Sequence, residues 1–338
     1  MASIVHIADG LDLALSVVVP CYNEDAGIDE LYRRVSTACE QQGQTYEIVL
    51  INDGSSDATC ARIFALADAD HHVVGIDLAR NYGHQIALSA GLELCRGARI
   101  LILDADLQDP PELLGPMMAK MDEGYDVVYG LREERDGESW FKLATASLFY
   151  RLLGRLSSVG IPANTGDFRL MNRRTLNHLN AMPERYRFIR GMVSWIGLRQ
   201  CAFPYRRHSR FAGKTHYPLR KMLILAIDAM TSFSVAPLRF ASHFGLAFGL
   251  LGMATLVYTL VAWGLGQVLP GWTSLASIML ILGSVQLLVL GIFGEYLGRM
   301  YMEAKRRPLF IISEIVSRTR IETGHGHWQD TQKGPAHG

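Results

Sequence analysis

Residues Ile100 to Glu112 read ILILDADLQDPPE, and the reading of this stretch decides the fold. Four apolar residues run into Asp104 and Asp106, then Gln108 and Asp109, and two prolines close the run before a helical pattern begins at Glu112. An apolar run that ends in acids and precedes a helix predicts a buried parallel strand. Its carboxylates are then delivered to the carboxyl end, where open α/β sheets bind ligands. Two carboxylates two residues apart, with the amide oxygen of Gln108, are hard oxygen donors suited to Mg2+ or Mn2+ on a diphosphate. An Asp-x-Asp by itself is better explained by a solvated acidic loop; its place behind an apolar strand reverses that preference.

Outward from this stretch the same pattern repeats. Ala14 to Pro20 (ALSVVVP) predicts a first strand ending at Pro20-Cys21-Tyr22-Asn23-Glu24, with a helix marked by Ile28, Leu31, Tyr32 and Val35. Tyr46 to Ile51 predicts a second strand, ending in the turn Asn52-Asp53-Gly54-Ser55-Ser56-Asp57, where Asp57 reads as a helix cap. Val73 to Leu78 predicts a third, followed by Arg80-Asn81-Tyr82 and a helix over Gly83 to Cys95, and Asp126 to Tyr129 a fifth ending at Gly130-Leu131-Arg132. Strand and helix alternating in this way predict an α/β domain with a mostly parallel sheet covered by helices on both faces. Glu24, Asp53, Asn81, Asp104 and Arg132 each follow an apolar run, so the fold gathers them on one rim.

Several function classes are excluded or disfavoured. No Gly-x-Gly-x-x-Gly follows the first strand and no Gly-x-x-x-x-Gly-Lys-Ser/Thr occurs, which argues against a dinucleotide oxidoreductase and a P-loop ATPase. The 33 basic and 33 acidic residues balance, so no net charge recommends nucleic acid as a partner. Cys21, Cys39, Cys60, Cys95 and Cys201 are scattered without metal-ligand spacing, and reduced thiols are expected. The N-terminal apolar stretch lacks a basic lead and a cleavage site, and reads as a strand rather than a signal peptide.

The second half changes character. Between residues 131 and 220 arginines and lysines crowd around short polar motifs such as Asn164-Thr165-Gly166-Asp167-Phe168-Arg169, and arginine forks suit phosphate. Pro218 to Arg239 predicts interfacial amphipathic helices. From Phe240 to Gly294 no Asp, Glu, Lys or Arg occurs across 55 residues. That gap predicts a transmembrane hairpin with helices at 240–265 and 272–296, each longer than the ~20 residues that cross a bilayer. Arg220, Lys221 and Arg239 before it, and Arg299, Lys305, Arg306 and Arg307 after it, put both flanks on the cytoplasmic side. Gly245-x-x-x-Gly249 and Gly294-x-x-x-Gly298 permit close helix contact, within the hairpin or in a homo-oligomer, which is expected. The expected organisation is a catalytic domain over 1–217, interfacial helices over 218–239, the hairpin over 240–298, and a cytoplasmic tail over 299–338 with a disordered end carrying His325, His327 and His337.

The motifs PCYNE (20–24), NDGSSDAT (52–59), RNYGHQIA (80–87), DADLQDPPE (104–112) and GDFRLM (166–171) together resemble family 2 of the inverting glycosyltransferases. MPERYRFIRGMVSWIG (182–197), RFAGKTHY (210–217), TSFSVAPLR before the membrane and the hairpin are most similar to its polyprenyl-phosphate branch, the bactoprenol glucosyltransferases and dolichol-phosphate mannose synthases. The resemblance implies a GT-A, Rossmann-like nucleotide-sugar domain. It implies that Pro20, Tyr22, Glu24, Asp53, Asn81, Asp104, Ala105, Asp106 and Arg132 bind the donor, and that Asp106 and Gln108 hold Mg2+ or Mn2+. Asp167, Arg169 and Arg210 match positions near the reacting centre. Arg132, Arg135, Arg169, Arg207, Arg210, Lys214 and His216 are then the expected partners of the acceptor phosphate. One position departs from the family: His216 stands where a lysine is usual, six residues after Arg210, with Lys214 two positions earlier.

What the resemblance implies is transfer from a nucleotide sugar, UDP-glucose first, to undecaprenyl phosphate at the bacterial cytoplasmic membrane, the catalytic domain and both termini being cytoplasmic. GDP-mannose, UDP-N-acetylglucosamine and an aminoarabinose donor are the alternatives. A processive polysaccharide synthase would carry a Gln-x-x-Arg-Trp motif and more spans, and an inactive scaffold would not need Asp104, Asp106 and Gln108 together.

Overall fold

The computed structural model describes residues 13–133, 165–206, 236–265 and 271–318. The chain divides into two compact units, one of Met1–Trp140, Ile161–His216 and Pro308–Gly338, the other of Phe141–Gly160 and Tyr217–Arg307.

The first unit is built on β1 (Leu15–Cys21), β2 (Tyr46–Asn52), β3 (Val73–Leu78), β4 (Arg99–Ile102), β5 (Val127–Arg132), β6 (Thr165–Asn172), β7 (Gln200–Tyr205) and β8 (Ile312–Val316). They form one sheet in the order β7-β5-β6-β4-β1-β2-β3-β8. β1 pairs in parallel with β2 and β4, β2 with β3, and β5 with β7. β6 runs antiparallel between β4 and β5, and β8 antiparallel along β3. The sheet is therefore mixed, with four of its seven pairings parallel, in keeping with the mostly parallel sheet that the sequence suggested.

Every residue of β1 and β2 is buried, as their Val- and Ile-rich runs require of strands covered on both sides. Val17, Val19, Ile48 and Leu50 share a core with α1 (Ile28–Glu40), α2 (Thr59–Ala69) and α4 (Leu114–Asp122). In α1 the buried Ile28, Leu31, Val35 and Cys39 recur at helical spacing, and Asp29 and Glu30 favour its first turn. The other face meets α3 (His84–Leu94). There Gly91 is required by packing, because a Cβ would lie 2.5 Å from both Val18 Cγ1 and Ile51 Cδ1. α5 (Arg173–Ala181) and α6 (Ile189–Ile196) follow β6, α5 starting at an Asn172 cap that accepts from the Thr175 N–H.

Topology places the site. β1 to β5 all point the same way, so their carboxyl ends share a rim, as the sequence suggested. β6 reaches that rim with its first residues. Ile102 pairs with Arg169 across the antiparallel β4/β6 ladder, and extending this register by two residues sets Asp104 opposite Asp167.

The second unit contains α7 (Ala236–Gly264) and α8 (Trp272–Ala304), which pack on each other. Both contain segments long and apolar enough to cross a membrane, His243–Ala262 and Ile281–Ala304. Residues 236–239, expected in the interfacial element, form the first turn of α7, and α8 runs past residue 296 to Ala304. Helix does not stop where apolarity stops: the charged Glu295 and Arg299 sit one turn apart and pair at 2.9 Å. The tail expected from 299 also contributes β8, whose apolar residues complete the sheet edge at β3. A Cβ built on Gly245, Gly249, Gly294 or Gly298 meets no atom within 4 Å, so neither glycine pair packs the described hairpin on itself.

Candidate active site

The loops after β1, β2 and β3 are laced together before any ligand is considered. The Asn23 N–H donates to Ser55 Oγ (3.0 Å), its side-chain oxygen accepts from the Ser56 N–H (2.9 Å), and the Glu24 N–H donates to Thr59 Oγ1 (2.9 Å). Asn23 holds a left-handed φ of 55°, a conformation asparagine tolerates better than most residues. Asp57 accepts from the Thr59 N–H and hydroxyl in the turn before α2, whose N-cap is Ala58 and not the expected Asp57. Asp53, only 2% exposed, accepts from the Tyr82 N–H (2.7 Å) and the Gly83 N–H (2.9 Å). Burial raises its pKa, while these two N–H groups oppose the shift. Gly54 makes the approach possible: its φ is 63°, and a Cβ would come 2.5 Å from the Asn81 nitrogen.

That clamp sets the start of α3, whose first residues enter a network of charges. His84 Nε2 lies 3.4 Å from Asp104 Oδ1 and 3.3 Å from Asp167 Oδ2. Gln85 donates to Asp167 Oδ2 (2.7 Å) and accepts from the Ile189 N–H (2.9 Å), joining α3, β6 and α6. Arg190 donates to Asp167 Oδ1 (3.3 Å) and to the Thr165 carbonyl (2.9 Å). Arg169 turns back onto the carbonyls of Asp167 and Gly166.

The environments separate these groups. Burial opposes ionisation of Asp167, but Arg190, His84 and Arg169 overcome it and hold its carboxyl well below the usual range. Burial pushes Asp104 up to about 6, His84 opposing and Asp167, Asp109 and Asp106 reinforcing. Crowding works against charge on His84, whose outer edge stays open, but the Asp167 hydrogen bond and Asp104 outweigh it and raise it to about 9. Burial brings Arg169 down to about 10, with Asp167 opposing.

The acid motif itself turns sharply. Leu107 adopts a φ of 56°, and Asp106 Oδ1 accepts from the Gln108 N–H at 3.1 Å, closing a tight loop. Asp104 Oδ1 is sealed from solvent and makes no hydrogen bond, its charge being faced by His84 Nε2 at 3.4 Å, which leaves the oxygen under-coordinated for a buried carboxylate. Asp167 is already committed to Arg190 and Gln85, so of the group His84, Asp104 and Asp167, whose ligand atoms lie within 4.8 Å of one another, Asp104 is the oxygen a metal would recruit. The donor set of Asp104, Asp106 and Gln108 therefore fits a hard divalent cation.

Of the residues singled out from sequence, Pro20 and Ala105 are buried, while Tyr22 and Asn81 are exposed at the rim. Asp104 and Asp167 are brought together and Arg169 lies beside them. Arg132 ends β5 and meets Asp109 and Tyr205. Arg135, Arg207, Arg210, Lys214 and His216, and the interfacial segment 218–235, lie outside the described residues. His84, Gln85, Asp109, Arg190 and Tyr205 were not among the residues chosen. His84 and Gln85 stood inside the quoted RNYGHQIA motif, where a helix start hides a ligand. All five cysteines are free thiols.

Comparison with known proteins agrees with this architecture. Residues 16–179 match Glycosyl transferase family 2, and residues 236–300 match the GtrB C-terminal hairpin. The uncharacterized glycosyltransferase YkcC of Bacillus subtilis (strain 168) is 44% identical over 302 residues, 88% of this chain and 93% of that protein. The prophage bactoprenol glucosyl transferase homolog of Escherichia coli (strain K12) is 38% identical over 309 residues, 90% and 99% of the two chains. The bactoprenol glucosyl transferase of Shigella phage SfV is 39% identical over 304 residues, 89% and 98%. Identity at this level, sustained through both the sheet domain and the apolar hairpin, leaves one assignment: the chain belongs to glycosyl transferase family 2, as a GT-A glycosyltransferase bearing a C-terminal GtrB hairpin.

Proposed function

We propose that the protein transfers glucose from UDP-glucose to undecaprenyl phosphate, with inversion and with Mg2+ or Mn2+, at the cytoplasmic face of the bacterial cytoplasmic membrane. The observation that carries the acceptor class is the match to proteins named bactoprenol glucosyl transferases along 98–99% of their length, hairpin included. A transferase carrying two membrane-length apolar helices suits an acceptor whose long isoprenoid tail stays in the bilayer. The basic residues flanking the hairpin support a cytoplasmic catalytic domain, and the open glycine pairs on α7 and α8 leave faces for contact between copies.

In the reaction a phosphate oxygen of the lipid attacks the anomeric carbon as the bond from that carbon to the diphosphate breaks, and the nucleoside diphosphate departs. A phosphate monoester has its second pKa near ~6, so at neutral pH the nucleophile is already ionised and needs little base assistance. The state of Asp167 suits that demand. A carboxylate held by Arg190, His84 and Gln85 is a poor proton acceptor, and its work is to hold those groups in place. Asp104, Asp106 and Gln108 would hold the cation, which neutralises charge on the leaving diphosphate. Asp53 fixes the Tyr82–Gly83 backbone, and so the start of α3, beside the sugar's path. The arginines supply the rest of the anion recognition.

Membranes containing the protein, incubated with labelled UDP-glucose, GDP-mannose, UDP-N-acetylglucosamine and an aminoarabinose donor, test the reading when the lipid phase is extracted. Label from UDP-glucose in lipid is expected. Label from another donor alone corrects the sugar, and no label from any donor refutes the transferase reading.

A further inference from the structure

Asp109 stands one residue beyond Gln108, its side chain 0% exposed, and nothing in the reaction just described uses it. An anion placed beside a site for an anionic donor repels that donor unless it is answered by a cation. It is answered by one cation, Arg132, and by one neutral donor, Tyr205. The Tyr205 hydroxyl donates to Asp109 Oδ1, and Arg132 Nη2 approaches Asp109 Oδ2 at 3.4 Å. Arg132 Nε donates to the same tyrosine oxygen at 3.2 Å. Three side chains, from the loop after β4, from β5 and from β7, thus close a triangle. The sheet register brings two of them together, since Arg132 and Tyr205 are partners across β5 and β7.

The triangle fixes a guanidinium plane. Nε and Nη2 are both engaged, leaving Nη1 as the nitrogen not committed within it. The group lies on the bare backbone of Gly166, where an added Cβ would overlap Nη2 and stand 3.0 Å from Cζ. Asp167 follows directly, so this plane is set beside the charge network. The tyrosine ring is held independently of its hydroxyl, edge-on to Phe168 at 5.4 Å. Fixing a guanidinium before the ligand arrives removes the ordering cost of a long, rotamer-rich side chain.

We propose that Asp109 and Tyr205 are positioning residues for donor binding, holding Arg132 in the orientation in which it grips the diphosphate of the nucleotide sugar. This rests on the proposed function, in which the arginines recognise phosphate, and on the expectation from the resemblance that Arg132 is a donor ligand. Neither residue touches the donor; each acts through the arginine.

A double-mutant cycle on the full-length chain in detergent tests it, with UDP and GDP, each with Mn2+, titrated calorimetrically. Tyr205→Phe keeps the ring against Phe168 and removes only the hydroxyl. It is expected to weaken nucleotide binding about five- to tenfold, and to change it less than about twofold once Arg132→Ala is present. Asp109→Asn is expected to follow the same pattern, and thermal melts of each variant report folding separately. Full loss with Arg132→Ala but wild-type binding by both Tyr205→Phe and Asp109→Asn overturns the inference alone. So does an effect of Tyr205→Phe that persists undiminished beside Arg132→Ala, which is what a merely structural role gives. Unchanged binding by Arg132→Ala removes the footing under the inference, and a wild type that binds neither nucleotide overturns the proposed function with it.

Discussion

Replacing Asp53 with asparagine separates two roles that the motif alone leaves merged, direct contact with the donor and organisation of the loop after β3. Both carboxylate oxygens accept backbone N–H groups, from Tyr82 at 2.7 Å and Gly83 at 2.9 Å. Hydrogen bonds to a charged group contribute roughly 1.5–3 kcal/mol each. Asparagine keeps one acceptor and turns an NH2 toward the other N–H. Against this, the variant is relieved of burying a charge, the cost that raises the Asp53 pKa. The balance is a loss of about 2 kcal/mol, or roughly 4–8 °C in melting temperature for a domain of this size. Because the loop leads into His84 and Gln85, transfer is expected to fall along with stability. Gly54→Ala pushes the same loop from the other side, through a Cβ 2.5 Å from the Asn81 nitrogen, and is expected to reproduce both effects. Scanning calorimetry and donor KM on the same preparations decide. Asp53→Asn melting with the wild type while donor binding collapses refutes the reasoning and makes Asp53 a ligand.

Asp167→Asn leaves Arg190, His84 and Arg169 without their shared anion, and breaking such a buried set costs about 3–5 kcal/mol; a lowered melt with transfer lost is expected, and an active, equally stable variant excludes the network as the site's frame. Chelation with EDTA is expected to stop transfer and Mn2+ or Mg2+ to restore it. Asp106→Asn should raise the metal needed for half-maximal rate by at least the roughly tenfold that losing a supporting group costs. Glu47→Gln is the stability control at the far end of β2. Glu47 is buried and takes Ser16 Oγ together with the Arg96 backbone and side chain, so a loss of about 3 kcal/mol is expected with donor KM unchanged. Alkaline carbonate washing of membranes is expected to leave the protein in the pellet through α7 and α8; release into the wash contradicts the spanning hairpin.

The five parallel strands were legible because each is covered on both faces, which forces an apolar run ending where the run meets the rim. The acid motif was legible for the same reason: Asp104 and Asp106 follow Leu103 directly. β6 was not. Its buried span contains Thr165, Asp167 and Arg169, and a strand with charges inside shows no apolar run. Those charges are tolerable only because partners arrive from far along the chain, Gln85 from 82 positions away and Arg190 from 23. β7 carries a proline and β8 places Ser313 and Glu314 among its apolar residues, so neither shows the continuous apolar run that marks a strand.

The difference between what was found and what was missed is one of direction. A search for residues just after apolar runs finds every ligand that a parallel strand carries at its carboxyl end. It passes over β6, which enters the rim by its amino end and places Asp167 ahead of its apolar residues. The resemblance named Asp167, but only the antiparallel pairing of Ile102 with Arg169 shows why it meets Asp104. Once those two carboxylates are opposed, the imidazole of His84, 3.4 Å from one and 3.3 Å from the other, answers both. His84 at the first position of α3 then ceases to look like an exposed helix start. Its place is fixed by the Asp53 clamp on the two residues before it, so the loop after β2 governs a charge that sits between β4 and β6.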